Sequence, residues 1–307
     1  MLDTLLSVCT AIETSLLAVL VGWVLWDEWL AGRSASSATR DWAWLLLLLL
    51  QPINFGLWTS DIGYSIGSIP VMLTHTHYGH AAIIRFASIV LMSSKCLPWG
   101  RNHALAWVLV LTTIFAWTRS IVSHAGETGN FNVHVLADTA HLVAITTWTG
   151  GVIVAAWQRQ LQIDKKPQEF ALSVRRLSSL AAGFLVIASI TGPYMAVNLI
   201  GHPLDLILTP YGKLLDFKLA LVSMVLVAAA FSRFVLLPQL VDVGAASAPN
   251  EVLAPIVNSS RHSIRSVSRR TPPVVLLHRV LRVESLLLLA VIVVASALRN
   301  TNPPMVM

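Results

Sequence analysis

Apolar residues run through this chain in stretches longer than a strand and broader than the one-sided stripe of a soluble helix. A helix needs about 20 such residues to cross roughly 30 Å of hydrocarbon. Breaking the apolar windows at polar, Gly and Pro clusters predicts eight helices: Leu5–Trp26, Trp42–Trp58, Gly79–Ser93, Ala104–Trp117, Val133–Trp157, Leu177–Leu199, Tyr211–Leu237 and Val280–Leu298. The third is short and carries Arg85, so it is expected to tilt. Trp23, Trp26, Trp29, Trp42, Trp44, Trp58, Trp117 and Trp157 stand near helix ends, where indoles anchor at a membrane interface. The pattern predicts an all-α polytopic membrane helical bundle of about eight transmembrane helices. Residues 1–307 form a single membrane domain, with a four-helix half over 1–130 and a second half over 131–307.

Composition removes the soluble alternatives. Of 307 residues, 55% are hydrophobic and 12% charged, and the mean hydropathy of +0.70 leaves no room for a sizeable soluble domain. The first span carries Asp3 where a signal peptide would carry Lys or Arg, and is expected to remain uncleaved. Cys9 and Cys96 are the only cysteines and fall near opposite faces of the expected bundle, so no intramolecular disulfide is implied.

The net charge of +6 follows topology rather than nucleic acid. Most of the 21 Lys and Arg fall in segments on one side, including Arg175, Arg176, Arg233 and the stretch Arg261 to Arg282. The positive-inside rule then turns both termini outward, to the periplasmic side of a bacterial inner membrane, and the basic stretch becomes a cytoplasmic loop beside membrane lipid. The same topology sends His75, His77, His80, His124, His134, His141 and His202 to the outer half, leaving His103, His262 and His278 inward. Met72, Met195, Met305 and Met307 also fall outward. Imidazole and thioether are ligands that copper, Cu(I) especially, prefers.

On the fifth expected helix His134, Asp138 and His141 stand at i, i+4 and i+7, one face of a helix. Such a stripe faces the bundle interior or water rather than lipid, and is a functional candidate on that ground; helix–helix hydrogen bonding is the plainer alternative. Met72 to His80 gathers His75, His77 and His80 beside a thioether, and His124 stands at the height of His134. Glu13, Arg85, Asp216 and Lys218 are expected to form compensating pairs around the deeper site. Below them the inner half offers little beyond Thr146, Thr147, Thr149, Ser88, Met92 and Met224. No phosphate-binding loop, nucleophile elbow or paired carboxylates occur, so the chain is not expected to be an enzyme.

Asp138-Thr-Ala-His141-Leu with Trp148-Thr-Gly150-Gly151, then Val174-Arg175-Arg176-Leu177-Ser178, Thr191-Gly192, Leu208 to Leu215 with Lys218, Ser232-Arg233 with Pro238, Leu281-Arg282-Val283-Glu284 and Pro303-Pro304 occur in a specific order. In that order and spacing the second half resembles the CopD/PcoD family of bacterial inner-membrane copper resistance proteins. In the first half the resemblance rests on Thr76, Tyr78-Gly79, Arg85 and Ser123-His124-Ala125. It implies eight helices, copper as cargo moved inward, and a periplasmic copper carrier of the CopC kind as partner. The expected route runs from His75, His77, His80, His124, His134 and Met72 to His141. There Asp138 orients the imidazole or binds directly, and Met195 adds a soft ligand. Two alternatives stay open. One is a b-type haem cytochrome, with haem clamped by His80 or His124 and His141; the other is a copper chaperone that loads a membrane enzyme without transport.

Overall fold

The computed structural model describes residues 2–30, 37–93, 101–127, 129–157, 167–200, 202, 204–239 and 273–301, and among these there is no strand. Ten α-helices carry the described chain: α1 Leu2–Leu25, α2 Ser37–Asp61, α3 Ile69–His75, α4 His77–Leu91, α5 Arg101–Ser120, α6 Val133–Trp157, α7 Pro167–Leu199, α8 Asp205–Leu208, α9 Pro210–Phe231 and α10 Pro273–Arg299. All eight expected helices are present, as α1, α2, α4, α5, α6, α7, α9 and α10. Six of them (α1, α2, α6, α7, α9 and α10) are long and apolar enough to cross a membrane. With 15 and 20 residues, α4 and α5 complete the bundle beside them. The protein is an all-α, multi-pass membrane bundle.

In lipid, helices gain little from burying apolar surface against one another, so close backbone approach and shape decide the packing. At the centre α1 and α6 touch backbone to backbone, Gly22 against the carbonyl of Gly150 and Gly150 against that of Ala18. Any side chain at either glycine would collide. Around this crossing α5 packs on α6 and α10 on α1, while α2 and α7 flank the pair.

The two ends of the bundle differ. Ser7 of α1 accepts a hydrogen bond from Asn300 just beyond α10 (2.8 Å), which brings the start of α1 and the end of α10 to one end of the bundle. Ser120, Asp138 and His134 gather there too, and it is called the histidine end below. At the opposite end Trp23, Trp26, Phe170, Val174, Leu177, Leu277 and Leu281 form an apolar core. Trp23 and Trp26 are thus not interfacial anchors as their position at a helix end suggests. Both are buried, and Trp26 meets Phe170 at 6.1 Å, because α1 continues past Leu25 as a π-helical turn, Trp26–Leu30, inside the bundle.

Two short helices introduce long ones by one device. Thr76 between α3 and α4 donates to the Met72 carbonyl (2.6 Å) and accepts from Gly79 N (2.9 Å). Thr209 between α8 and α9 donates to the Asp205 carbonyl (2.6 Å) and accepts from Gly212 N (3.0 Å). The Thr is thereby the N-cap of the long helix and a brace for the short one. Met72 to His80 thus spans the end of one helix, a one-residue break and the start of a second helix. Met305, Met307, Cys96, the stretch Arg261 to Arg270 and Pro303-Pro304 lie outside the described residues.

Candidate metal site on the sixth helix

Asn132 builds the start of α6. Its Oδ1 accepts from Val135 N (2.8 Å) while its Nδ2 donates to the carbonyls of Ala125 and Gly129 (2.8 Å each), so cap and preceding loop are tied together. From that cap the helix carries His134, Asp138 and His141 down one face, and α7 lies against it. The His134 ring stacks on Tyr194 at 5.4 Å. Two turns deeper, His141 Nδ1 lies 2.9 Å from Thr191 Oγ1. Gly192, the next residue, faces the ring: a Cβ there would touch His141 Cε1 at 3.4 Å, an ordinary contact.

Hydrogen-bond arithmetic assigns the tautomer. Thr191 has one hydroxyl proton, and it points at the Ile187 carbonyl, 2.7 Å away. Only a lone pair remains for His141, so Nδ1 carries the proton and donates. Nε2 then holds its lone pair free, the state in which imidazole ligates a metal. Thr191, not Asp138, orients this ring. Asp138 is instead held by Ser120, whose Oγ donates to Oδ2 at 2.7 Å from the end of α5. Met195 stands one turn from Thr191 on the same face of α7, half-buried, towards the histidine end.

Helix rise separates His134 from His141 by about 10 Å along the axis, too far for one ion to bind both. The remaining expected ligands are spread over the surface. His75, His77 and His80 are exposed at the α3–α4 break, with His80 Nε2 bonded to the Thr74 carbonyl (2.9 Å), and Met72 beneath them is buried. His124 is exposed and bonded through Nδ1 to Glu127 (2.8 Å). Among the described residues no three His, Cys, Asp or Glu side chains converge to hold a metal ion. Single imidazoles at successive depths replace the expected multidentate cluster.

The expected pairing of Glu13, Arg85, Asp216 and Lys218 does not form. Glu13 accepts from Gln51 Nε2 (2.8 Å), and Arg85 makes no ion pair among the described residues. Asp216 and Lys218, two apart on a helix, point about 200° from each other. Asp216 is exposed, whereas Lys218 turns inward to within electrostatic reach of His141 and Asp138. Nor is the half away from the histidines free of ionisable groups, because Glu284 of α10 is only 3% exposed there, near buried Thr149 and Ser285 in depth. A single acid inside an apolar run is the sequence signal for it.

Fold and site together define a multi-pass helical membrane protein with imidazoles and a carboxylate held inside one end of its bundle. Residues 171–298 match the family model described as CopD, copper resistance protein D, and in that segment the chain is similar to copper resistance membrane proteins. No curated protein and no solved structure matches the chain. The matched segment runs from α7 to α10. It includes Thr191, Tyr194, Met195, Lys218 and Glu284, and it stops short of His134, Asp138 and His141 on α6.

Proposed function

We propose that this protein takes copper at the histidine end, from the periplasmic side of a bacterial inner membrane, and moves it into or across the membrane, contributing to copper homeostasis and resistance. One observation carries the reading: the His141 imidazole is held by Thr191 with Nε2 unprotonated, deep on a face that also bears His134, Asp138 and Met195. Copper is the cargo that suits this set, imidazoles with a carboxylate along one face of α6 and a thioether on the neighbouring α7. His75, His77, His80 and His124, exposed at the surface, receive the ion; His134 and His141 are successive stations about 10 Å apart. The donor is a periplasmic copper carrier of the CopC kind, docking on the exposed histidines. Met72, buried below them, is the soft ligand next to that surface.

The test is copper stoichiometry on detergent-purified protein, wild type beside His141→Ala and the triple variant of His75, His77 and His80 to Ala, with an optical spectrum of each sample. Near-stoichiometric copper is expected in wild type and in the triple variant, and loss of it in His141→Ala. A Soret band without copper would replace this reading with a haem protein. Tight binding with no uptake into proteoliposomes would restrict it to a chaperone.

A further inference from the structure

Chain halves α1–α5 and α6–α10 repeat one another. Thr76, Tyr78, Gly79 and Arg85 stand at the same spacing as Thr209, Tyr211, Gly212 and Lys218, each group following a short helix. In both, the Thr braces the short helix and caps the long one through matching hydrogen bonds. Gly22 of α1 meets Gly150 of α6, and Glu13 stands as far before the first glycine as His141 before the second. Each of these two side chains is bonded from the next long helix of its half, beside that helix's proline: Glu13 by Gln51 next to Pro52, and His141 by Thr191 near Pro193. The halves end on Arg119-Ser120 and Arg299-Asn300, and Ser120 reaches Asp138 of α6 as Asn300 reaches Ser7 of α1. The matching order of elements, with four long helices in each half, is that of parallel rather than inverted repeats. In it, Glu13 occupies the place of His141 and Arg85 that of Lys218.

The N-terminal counterpart of the imidazole site is cationic. Arg85, Arg119 and Arg299 lie within electrostatic reach of one another and of Glu13 and Asp138. Yet the charges do not pair, for Glu13 is bonded by neutral Gln51 and Asp138 by neutral Ser120. Arg119 donates to Thr14 Oγ1 (2.7 Å), and Arg299 to the Arg119 carbonyl (3.2 Å). Arg85 is 7% exposed and lies over the rings of Tyr78 and Phe115, 6.0 Å from each centroid, and its Nε and Nη2 have no hydrogen-bond partner. Those two N–H groups share one edge of the guanidinium, the edge that grips an anion. Guanidinium does not shed its proton at such a site, so two buried guanidiniums and the half-buried Arg299 face Glu13 and Asp138, which leaves one positive charge in excess and favours an anion.

We propose that the N-terminal half holds a small monovalent anion on the Nε–Nη2 edge of Arg85, the residue that corresponds to Lys218 of the other half. The site takes no part in the copper reading and stands or falls without it.

The probe is bromide, titrated into copper-free, detergent-purified protein in gluconate at constant ionic strength, gluconate being too bulky for a buried site. Trp58 stacks on Tyr78 at 3.5 Å, directly beside Arg85, so a bound heavy halide quenches its emission. Expected are a saturable component of quenching and a rise in Tm, both shifted to roughly tenfold or higher bromide in Arg85→Gln. Trp58→Phe should lose the saturable quenching and keep the Tm rise. Quenching that stays linear in bromide with an unchanged Tm would overturn the proposal. So would a saturable response that Arg85→Gln leaves in place. Should Arg85→Gln fail to fold, Trp58→Phe decides: saturable quenching that survives it puts the anion elsewhere, and the proposal fails.

Discussion

At the scale of single residues, the hydroxyl of Thr191 determines what His141 can do. A threonine inside a helix ordinarily returns its proton to the carbonyl four residues back. Here that habit leaves a lone pair facing His141, and the ring must turn its own proton towards α7. Thr191→Val keeps the shape of the side chain and removes the acceptor. Copper affinity is expected to fall roughly ten- to hundredfold, the usual effect of losing a group that orients a metal-binding imidazole, with Tm little changed. A competition titration against a copper chelator measures it; unchanged affinity would mean that the ring needs no such partner. His141 itself was legible from the i, i+4, i+7 stripe. Thr191 was legible only as part of a family-like Thr-Gly pair, because nothing in the local pattern of α7 says which of its faces meets α6. Arg119, Arg299 and Gln51 stayed silent for the same reason: their roles arise between helices distant in sequence.

At the scale of helices, glycine decides where the bundle closes. Gly22 and Gly150 bring α1 and α6 to backbone contact, and no rotamer can relieve a side chain that would meet a carbonyl. Gly150→Val is expected to destabilise by about 1–3 kcal/mol or more, the range for overpacking a tight interior, and to lower Tm in a detergent melt. Gly56, with no neighbour where its Cβ would stand, is the control, and Gly56→Ala should leave the melt nearly unchanged. The caps predict a smaller effect: Thr209→Ala removes the Gly212 and Asp205 hydrogen bonds and should cost about 1 kcal/mol. Helix positions were largely legible from hydropathy, and α6 begins and ends where the sequence puts it, since Asn132 and Trp157 mark its limits. Short α3 and α8 were not foreseen, because a helix of one or two turns braced by the following Thr has too few residues to show a period.

At the scale of the whole molecule, the matched family segment and the candidate site lie on different parts of the chain. Residues 171–298 supply Thr191, Met195 and Lys218, but the imidazole that Thr191 orients belongs to α6, and α6 is held by α1 through the glycine crossing. A fragment of residues 167–301 therefore lacks both the ligand and the helix pair that the rest surrounds. It should bind no stoichiometric copper even if it reaches the membrane. The orientation proposed from the cation distribution makes a separate demand. Asn130 is exposed at the histidine end and Asp41 at the opposite one. In a background with Cys9 and Cys96 replaced by Ser, Asn130→Cys should react with a membrane-impermeant maleimide added to cells with a permeabilised outer membrane, and Asp41→Cys only after lysis. The reverse pattern would turn the histidines to the cytoplasm. Their imidazoles would then meet copper leaving rather than arriving, and the route from a periplasmic carrier to His141 would have to be abandoned while the binding chemistry at His141 stood.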